Sequence, residues 1–107
     1  MTDTELKQLL AKMLPEWCEM EQEFLIWSKT DIENGIQKDN QVFGAQLLHL
    51  CSLAESALTE SEYFLYKGWI AKIQDRESGE SFDVKTQCVS ATWQQRTEAL
   101  AKVKGLK

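Results

Sequence analysis

The sequence predicts an all-α fold, a small bundle of four to five helices in a single helical domain spanning residues 1–107. Only five glycines and one proline occur, whereas an all-β domain needs a turn signal about every 8 to 12 residues. Apolar residues recur at spacings of three and four along several stretches. Thr2 with Glu5, and Thr59 with Glu62, also match the capping-box pattern that begins a helix.

The first predicted helix begins at the capping box of Thr2 and Glu5 and ends at Pro15, which cannot continue a helix. Its apolar stripe consists of Leu6, Leu9, Leu10, Met13 and Leu14. A second helix is predicted from Pro15 onward, because proline is tolerated in a first turn and the glutamates of residues 16–23 favour the positive end of the helix dipole. Asn34 and Gly35 mark its end region.

The buried side predicted for this second helix consists of Trp17, Met20, Phe24, Leu25 or Trp27, Ile32 and Ile36. A third helix is predicted to begin at Asp39 or Asn40. Phe43, Leu47, Leu50, Ala54 and Ala57 form its stripe at spacings of three and four. Since this segment is apolar over most of its circumference, we expect it at the centre of the bundle.

The stretch 59–74 reads TESEYFLYKGWIAKIQ and is apolar enough to be a helix or a strand. Thr59 and Glu62 form a capping box. At 100° per residue, one arc of about 160° holds Tyr63, Leu65, Tyr66, Trp69, Ile70 and Ile73. The pattern therefore predicts a helix with Phe64 on its other side. The alternative is an α+β fold in which about 63–74 pairs with 81–89 as a hairpin.

The final helix is predicted to run at least from Ser90 to Lys104, after a loop at residues 75–80. It could also begin just after Ser81, since Phe82, Val89 and Trp93 then share a stripe with Leu100.

Charge is unevenly distributed between the two parts of the chain. Residues 1–62 hold 12 acidic and four basic side chains, a net charge of −8, whereas residues 63–107 hold five acidic and eight basic, a net charge of +3. Direct nucleic-acid binding needs several phosphates neutralised at once, and the acidic balance argues against it. With acidic residues at the start and no apolar run that could span a bilayer, the sequence predicts a cytoplasmic protein without a membrane segment.

The candidate metal ligands are Cys18, His49, Cys51 and Cys88, by count a Cys3His set suited to zinc. Their spacing argues against a site, because no pair lies two to four residues apart except His49 and Cys51, which point about 200° apart on a helix. No catalytic motif or glycine-rich phosphate loop is present. We therefore expect buried thiols, no cofactor and no enzymatic activity.

These observations favour a non-enzymatic interaction or adaptor protein, comparable in size to small chaperones and mobile-element inhibitors. It is expected to bind another protein, or itself as a homodimer, through aromatic helix faces. The candidate interface residues are Phe64, Trp69, Trp93, Glu16, Glu19 and Glu23. One alternative is an acidic regulator that blocks a nucleic-acid-binding protein by charge mimicry, and another is a small metal-binding domain that uses the Cys and His residues.

Overall fold

The computed structural model describes residues 2–78 and 91–106 of the chain. In these ranges the structure has four helices and a two-stranded antiparallel hairpin that packs against the first helix. The elements are α1 (Asp3–Met13), β1 (Cys18–Glu21), β2 (Phe24–Trp27), a short 3-10 turn (Ile32–Asn34), α2 (Ala45–Ser56), α3 (Glu60–Ser78) and α4 (Trp93–Val103). The fold is therefore mostly helical but is not the clean all-α bundle that the sequence predicts.

The predicted second helix from Pro15 is wrong, because residues 18–27 form the hairpin. Cys18 pairs with Trp27 and Met20 with Leu25 on the core side. The polar glutamates of β1 alternate with these residues, which is the period of a strand rather than a helix. Gln22 occupies the turn with a positive φ of 57°. The predicted buried side is wrong at Phe24 and Ile32, which are exposed.

The predicted start of the third helix at Asp39 or Asn40 is also wrong, because residues 39–42 extend the hairpin instead. The Trp27 amide donates to the Asn40 carbonyl at 3.0 Å, and the Val42 amide donates to the Leu25 carbonyl at 2.8 Å. Helix α2 consequently begins after Gly44, whose φ of 44° suits glycine. Phe43 precedes the helix and is exposed.

Helix α3 confirms the helical prediction for residues 63–74, so the hairpin of the α+β alternative does not form there. The sheet that the fold does contain lies at residues 18–27. The predicted loop at 75–80 is helical as far as Ser78. Residues 81–89, the earlier start of the last helix and Cys88 lie outside the described residues.

The core joins every helix to the hairpin. Its fully buried large side chains include Leu10, Leu25, Trp27, Leu50, Tyr66, Ile70 and Leu100. Helix α4 crosses α3, α1 and α2 and contributes small residues, Ala99 and Ala101, that allow close approach of its neighbours. None of the helices described is both long enough and apolar enough to cross a membrane.

Candidate interaction surface

Helix α3 is fixed at its first turn by the predicted capping box. The Thr59 amide donates to the Glu62 carboxylate at 3.0 Å, and the Glu62 amide donates to the Thr59 hydroxyl at 3.2 Å. The hydrogen bond from the Thr59 backbone lowers the pKa of Glu62, and the ammonium of Lys104 acts in the same direction. These reciprocal bonds satisfy two amides that a helix end otherwise leaves without partners.

The inner face of α3, formed by Tyr66, Ile70 and Ile73, is buried against the core. The Tyr66 hydroxyl donates to the Glu55 carboxylate at 2.5 Å, and Arg96 of α4 donates to the same oxygen at 2.9 Å. Burial raises the pKa of Tyr66 strongly, and the hydrogen bond to Glu55 adds to the effect. The tyrosine therefore stays protonated and ties α3 to α2 and α4 through one shared carboxylate.

The second half of α3 is held to α4 by polar contacts. Gln74 donates to Gln95 at 3.2 Å, and Arg76 forms an ion pair with Glu98 at 3.1 Å. The hydrogen bond and charge of Glu98 raise the pKa of Arg76. Helix α3 is thus anchored along its length by the side that faces α4.

The opposite side of α3 faces away from the core. We call it the outer face of α3 and define it as Ser61, Phe64, Leu65, Gly68, Ala71, Lys72 and Asp75, which lie within about 60° of Gly68 at 100° per residue. Phe64 is 78 % exposed and Leu65 is 55 % exposed. A shallow groove of about 480 Å³ lies beside them, lined by Glu60 and Ser61. Exposed apolar side chains grouped in this way are characteristic of an interaction site.

The two tryptophans that were predicted as interface residues lie between the core and the surface. Trp69 is half-buried, and the ammonium groups of Lys72 and Lys102 lie 4.8 and 5.4 Å from its ring centroid. Trp93 is half-buried at the first turn of α4 and packs against the core, while its carbonyl accepts from the Thr97 hydroxyl at 2.7 Å. Of the three aromatic candidates, only Phe64 lies on the outer face of α3.

The three glutamates that were predicted as interface residues belong to the hairpin region and not to a helix. Glu16 lies in the turn before β1, Glu19 lies on β1 and Glu23 lies in the hairpin turn, and all three are exposed. These glutamates therefore do not lie on the predicted second helix. Neither these glutamates nor the tryptophans lie on the outer face of α3 with Phe64.

The outer face of the hairpin is both acidic and aromatic. Cross-strand pairing places Glu19 beside Ile26 and Glu21 beside Phe24 on the side away from the core. A shallow groove of about 270 Å³ is lined there by Glu21, Phe24 and Asp39, together with Gln22, Ile26 and Gln41. Phe24 is half-exposed, so this side chain and two carboxylates are open to a partner.

The candidate metal ligands do not converge in the part of the chain described. Cys18 and Cys51 are buried free thiols, and no three His, Cys, Asp or Glu side chains among residues 2–78 and 91–106 are grouped as metal ligands. Burial raises the pKa of Cys18 to about 12 and that of Cys51 to about 11. Both thiols are therefore protonated and unreactive near neutral pH.

Sequence reasoning missed part of the outer face of α3. Leu65 falls on the predicted apolar arc but is exposed, because the buried arc is rotated toward Gln74, whose amide reaches Gln95 of α4. A buried glutamine cannot be recognised from apolar periodicity, which assigns it to the surface. In the sequence, Gly68 is a weak indication of this face. A glycine inside a helix lowers the stability of the helix by about 1 kcal/mol relative to alanine, so its presence usually has a packing or functional reason.

Comparisons of the chain with protein-family models, with curated proteins and with solved structures find no match. The function is therefore argued from the chain's own geometry.

Proposed function

We propose that this chain is a cytoplasmic, non-enzymatic interaction protein that binds a protein partner through the outer face of α3. The observation that carries the proposal is the exposure of Phe64 and Leu65 on a helix whose other side is anchored to α2 and α4. A rigid helix that presents an aromatic side chain loses little conformational entropy on binding, which favours affinity. The proposed binding requires a partner protein and no further ligand.

The apolar contribution of the two exposed side chains to binding can be estimated from their exposure. Complete burial of a Phe or Leu side chain contributes about 1.5 to 3 kcal/mol. Since both side chains are only partly exposed, Phe64 and Leu65 together contribute about 2 to 4 kcal/mol on this scale. The two side chains together therefore contribute about as much as one hot-spot residue, for which about 2 to 4 kcal/mol is usual.

The test is affinity capture from cells that produce the protein, with the wild type and a Phe64→Ser Leu65→Ser variant as baits. Proteins retained by the wild type, a second copy of the chain included, are expected to be lost with the variant. A Leu48→Ser bait provides the matched control, because Leu48 is an exposed leucine on α2. Equal retention by all three baits would refute the proposed surface.

A second candidate function is an acidic regulator that occupies the basic surface of a nucleic-acid-binding protein. The observation that favours it is the outer face of the hairpin, where Glu21 and Asp39 flank Phe24 and none of the six lining side chains is basic. The carboxylates would pair with lysine or arginine, and the ring would pack against their cationic groups.

The two candidate functions differ in their dependence on salt. Binding through the hairpin should weaken steeply between about 0.05 and 0.5 M salt and should be lost in a Glu19→Lys Glu21→Lys variant. Binding through the outer face of α3 should change little in either case. The measurement is the dissociation constant of any captured partner over this range of ionic strength.

A further inference from the structure

We propose that the outer edge of strand β1 binds an extended segment of another protein in which basic and apolar side chains alternate. The segment would lie beside Cys18–Glu21 and continue the sheet by one strand. The edge of β1 is a different surface from the outer face of α3, so the proposal does not depend on the function proposed above. It also differs from the second candidate function, which uses the outer face of the hairpin and not its edge.

The sheet is already extended on the side of β2. The Trp27 amide donates to the Asn40 carbonyl at 3.0 Å, and the Val42 amide donates to the Leu25 carbonyl at 2.8 Å. The backbone groups of Leu25 and Trp27 therefore point toward residues 40–42 and away from β1. These contacts cover the edge of β2 and leave β1 at the other edge of the sheet.

On β1, Cys18 and Met20 direct their backbone groups outward. They pair with Trp27 and Leu25, whose own groups face the other way, so these pairs exchange no hydrogen bonds across the hairpin. The Cys18 amide donates to the Leu14 carbonyl at 3.1 Å. The amide and carbonyl of Met20 have no hydrogen-bond partner in the part of the chain that the structure describes. An open donor and acceptor on an edge strand form a template for another extended backbone.

A shallow groove of about 440 Å³ lies along this edge, between α1 and β1. Its lining includes Ala11 and Lys12 of α1 and Met20 of β1. Successive side chains of an added strand would point alternately into this groove and toward the outer face of the sheet. Apolar side chains suit the groove, because Ala11 and Met20 are half-buried there and the ammonium of Lys12 would repel a second cation.

The outer face of β1 carries the charge that selects basic side chains. Glu19 and Glu21 are two residues apart on the strand, so they lie on the same side, and both are exposed. Neither carboxylate forms an ion pair within residues 2–78 and 91–106. Because cross-strand pairs of opposite charge stabilise a sheet, lysine or arginine at alternate positions of the added segment would pair with both carboxylates.

The same carboxylates disfavour a second copy of the chain at this edge. Two β1 strands that pair antiparallel through Met20 would place Glu19 of each copy opposite Glu21 of the other. A shift of the register by two residues, which keeps the outward backbone groups paired, would bring Glu19 opposite Glu19 or Glu21 opposite Glu21. Like charges directly opposite one another destabilise a sheet.

Fluorescence anisotropy with the full chain tests the site. The probe is a labelled peptide of about seven residues in which lysine and valine alternate, a length typical of a strand. The control peptide has the same composition in two blocks and should bind about tenfold more weakly, because its basic side chains cannot all lie on one face. No binding of the alternating probe, or equal binding of both peptides, would overturn the proposal. The Phe64→Ser Leu65→Ser variant should bind the probe as the wild type does, which separates this site from the proposed function.

Methylation of backbone amides in the probe tests strand addition independently of charge. In an added strand, the amides of alternate residues donate to β1 and the others point away. One version of the probe is methylated at every valine amide, and another at every lysine amide. Their affinities should differ at least about tenfold, because only one version loses its hydrogen bonds to β1. Equal affinities would show that the peptide does not bind as a strand.

Two double substitutions locate the charge on the protein. Glu19→Gln Glu21→Gln should weaken binding of the alternating probe about threefold to tenfold, because both cross-strand charge pairs are lost. Glu16→Gln Glu23→Gln is the matched control, since it changes the net charge equally in the turns on either side of β1, and it should weaken binding less than about twofold. Circular dichroism establishes that each variant is folded. Equal losses in the two variants would show general electrostatic attraction and overturn the site.

Discussion

The two sides of helix α3 differ in almost every physical property. The inner face buries Tyr66, Ile70 and Ile73 and directs its polar atoms to Glu55 and Gln95. The outer face exposes Phe64 and Leu65 on either side of an open glycine. One helix therefore combines a side that stabilises the fold with a side that contributes little to it. The proposed function assigns the exposed apolar residues of the outer face of α3 to binding.

The largest expected effect belongs to the inner face. Ile70→Ala should lower the free energy of unfolding by about 2 to 5 kcal/mol, because a fully buried side chain is removed and a cavity remains. Urea denaturation followed by far-UV circular dichroism measures the change. A loss below about 1 kcal/mol would show that the inner face is not part of a packed core.

Because two thiols are buried in the interior, we predict that the protein becomes less stable at alkaline pH. An unfolded thiol ionises near pH 9.0, whereas the native pKa is about 12 for Cys18 and about 11 for Cys51. Between pH 9 and 11 the unfolded state therefore binds fewer protons than the native state. The free energy of unfolding should fall as pH rises, by about 1 kcal/mol per pH unit for each thiol.

The contribution of a single thiol to this pH dependence can be isolated by substitution. Cys51→Ala should reduce the slope by about 1 kcal/mol per pH unit between pH 9 and 11 relative to the wild type, because one titrating group is removed. Urea denaturation of both proteins at pH 8, 9, 10 and 11 makes the comparison. Identical slopes for the two proteins would show that Cys51 is accessible to water in the folded chain.

The hydrogen bond from Tyr66 to the shared Glu55 carboxylate can be tested by removing the hydroxyl oxygen of the tyrosine. Tyr66→Phe should lower the free energy of unfolding by about 1.5 to 3 kcal/mol, because the bond to the ionised Glu55 is lost while the ring stays in place. Thermal unfolding of both proteins gives the difference. Tyr63→Phe serves as the control, since Tyr63 is 38 % exposed on the same helix and its substitution should change stability little.

Loss of the capping box at the first turn of α3 should have a smaller effect on stability. Thr59→Ala should cost about 1 kcal/mol, because the Glu62 amide loses its acceptor. Thr59→Ser retains the hydroxyl and should preserve most of the stability. Equal losses for Ala and Ser would show that the threonine methyl group, and not the hydrogen bond, stabilises this end of α3.

The smallest change in stability is expected on the outer face of α3. Phe64→Ala should alter the free energy of unfolding of the monomer by less than about 0.5 kcal/mol, as is usual for exposed positions. The measurement is urea denaturation at a protein concentration low enough to keep the chain monomeric. A loss comparable with that of Ile70→Ala would place Phe64 in the core and remove the distinction between the two faces.

The parts of the fold that the sequence predicted correctly are those fixed by local chemistry. The stripe of Leu6, Leu9 and Leu10, the stop before Pro15 and the capping box at Thr59 each depend on residues a few positions apart. The exposure of Phe64, which lies off the predicted arc of α3, follows from the same local periodicity.

The parts that were predicted wrongly depend on distant partners. Residues 18–27 carry acidic residues suited to a helix start, yet Leu25 pairs with Met20 and also accepts from Val42. Tertiary pairing of this kind overrides local preference. Leu65 was assigned to the core because the contact between Gln74 and Gln95, which sets the rotation of α3, cannot be read from one helix alone.

Photo-cross-linking at position 64 tests most directly whether the outer face of α3 binds a protein. Phe64 is replaced by a photoreactive phenylalanine derivative in cells that produce the protein, and Leu48 on α2 is replaced in the same way as the control. We predict a cross-linked product at position 64, larger than a single copy of the chain, and none at position 48. No product at position 64, or equal products at both positions, would contradict the assignment of binding to the outer face of α3.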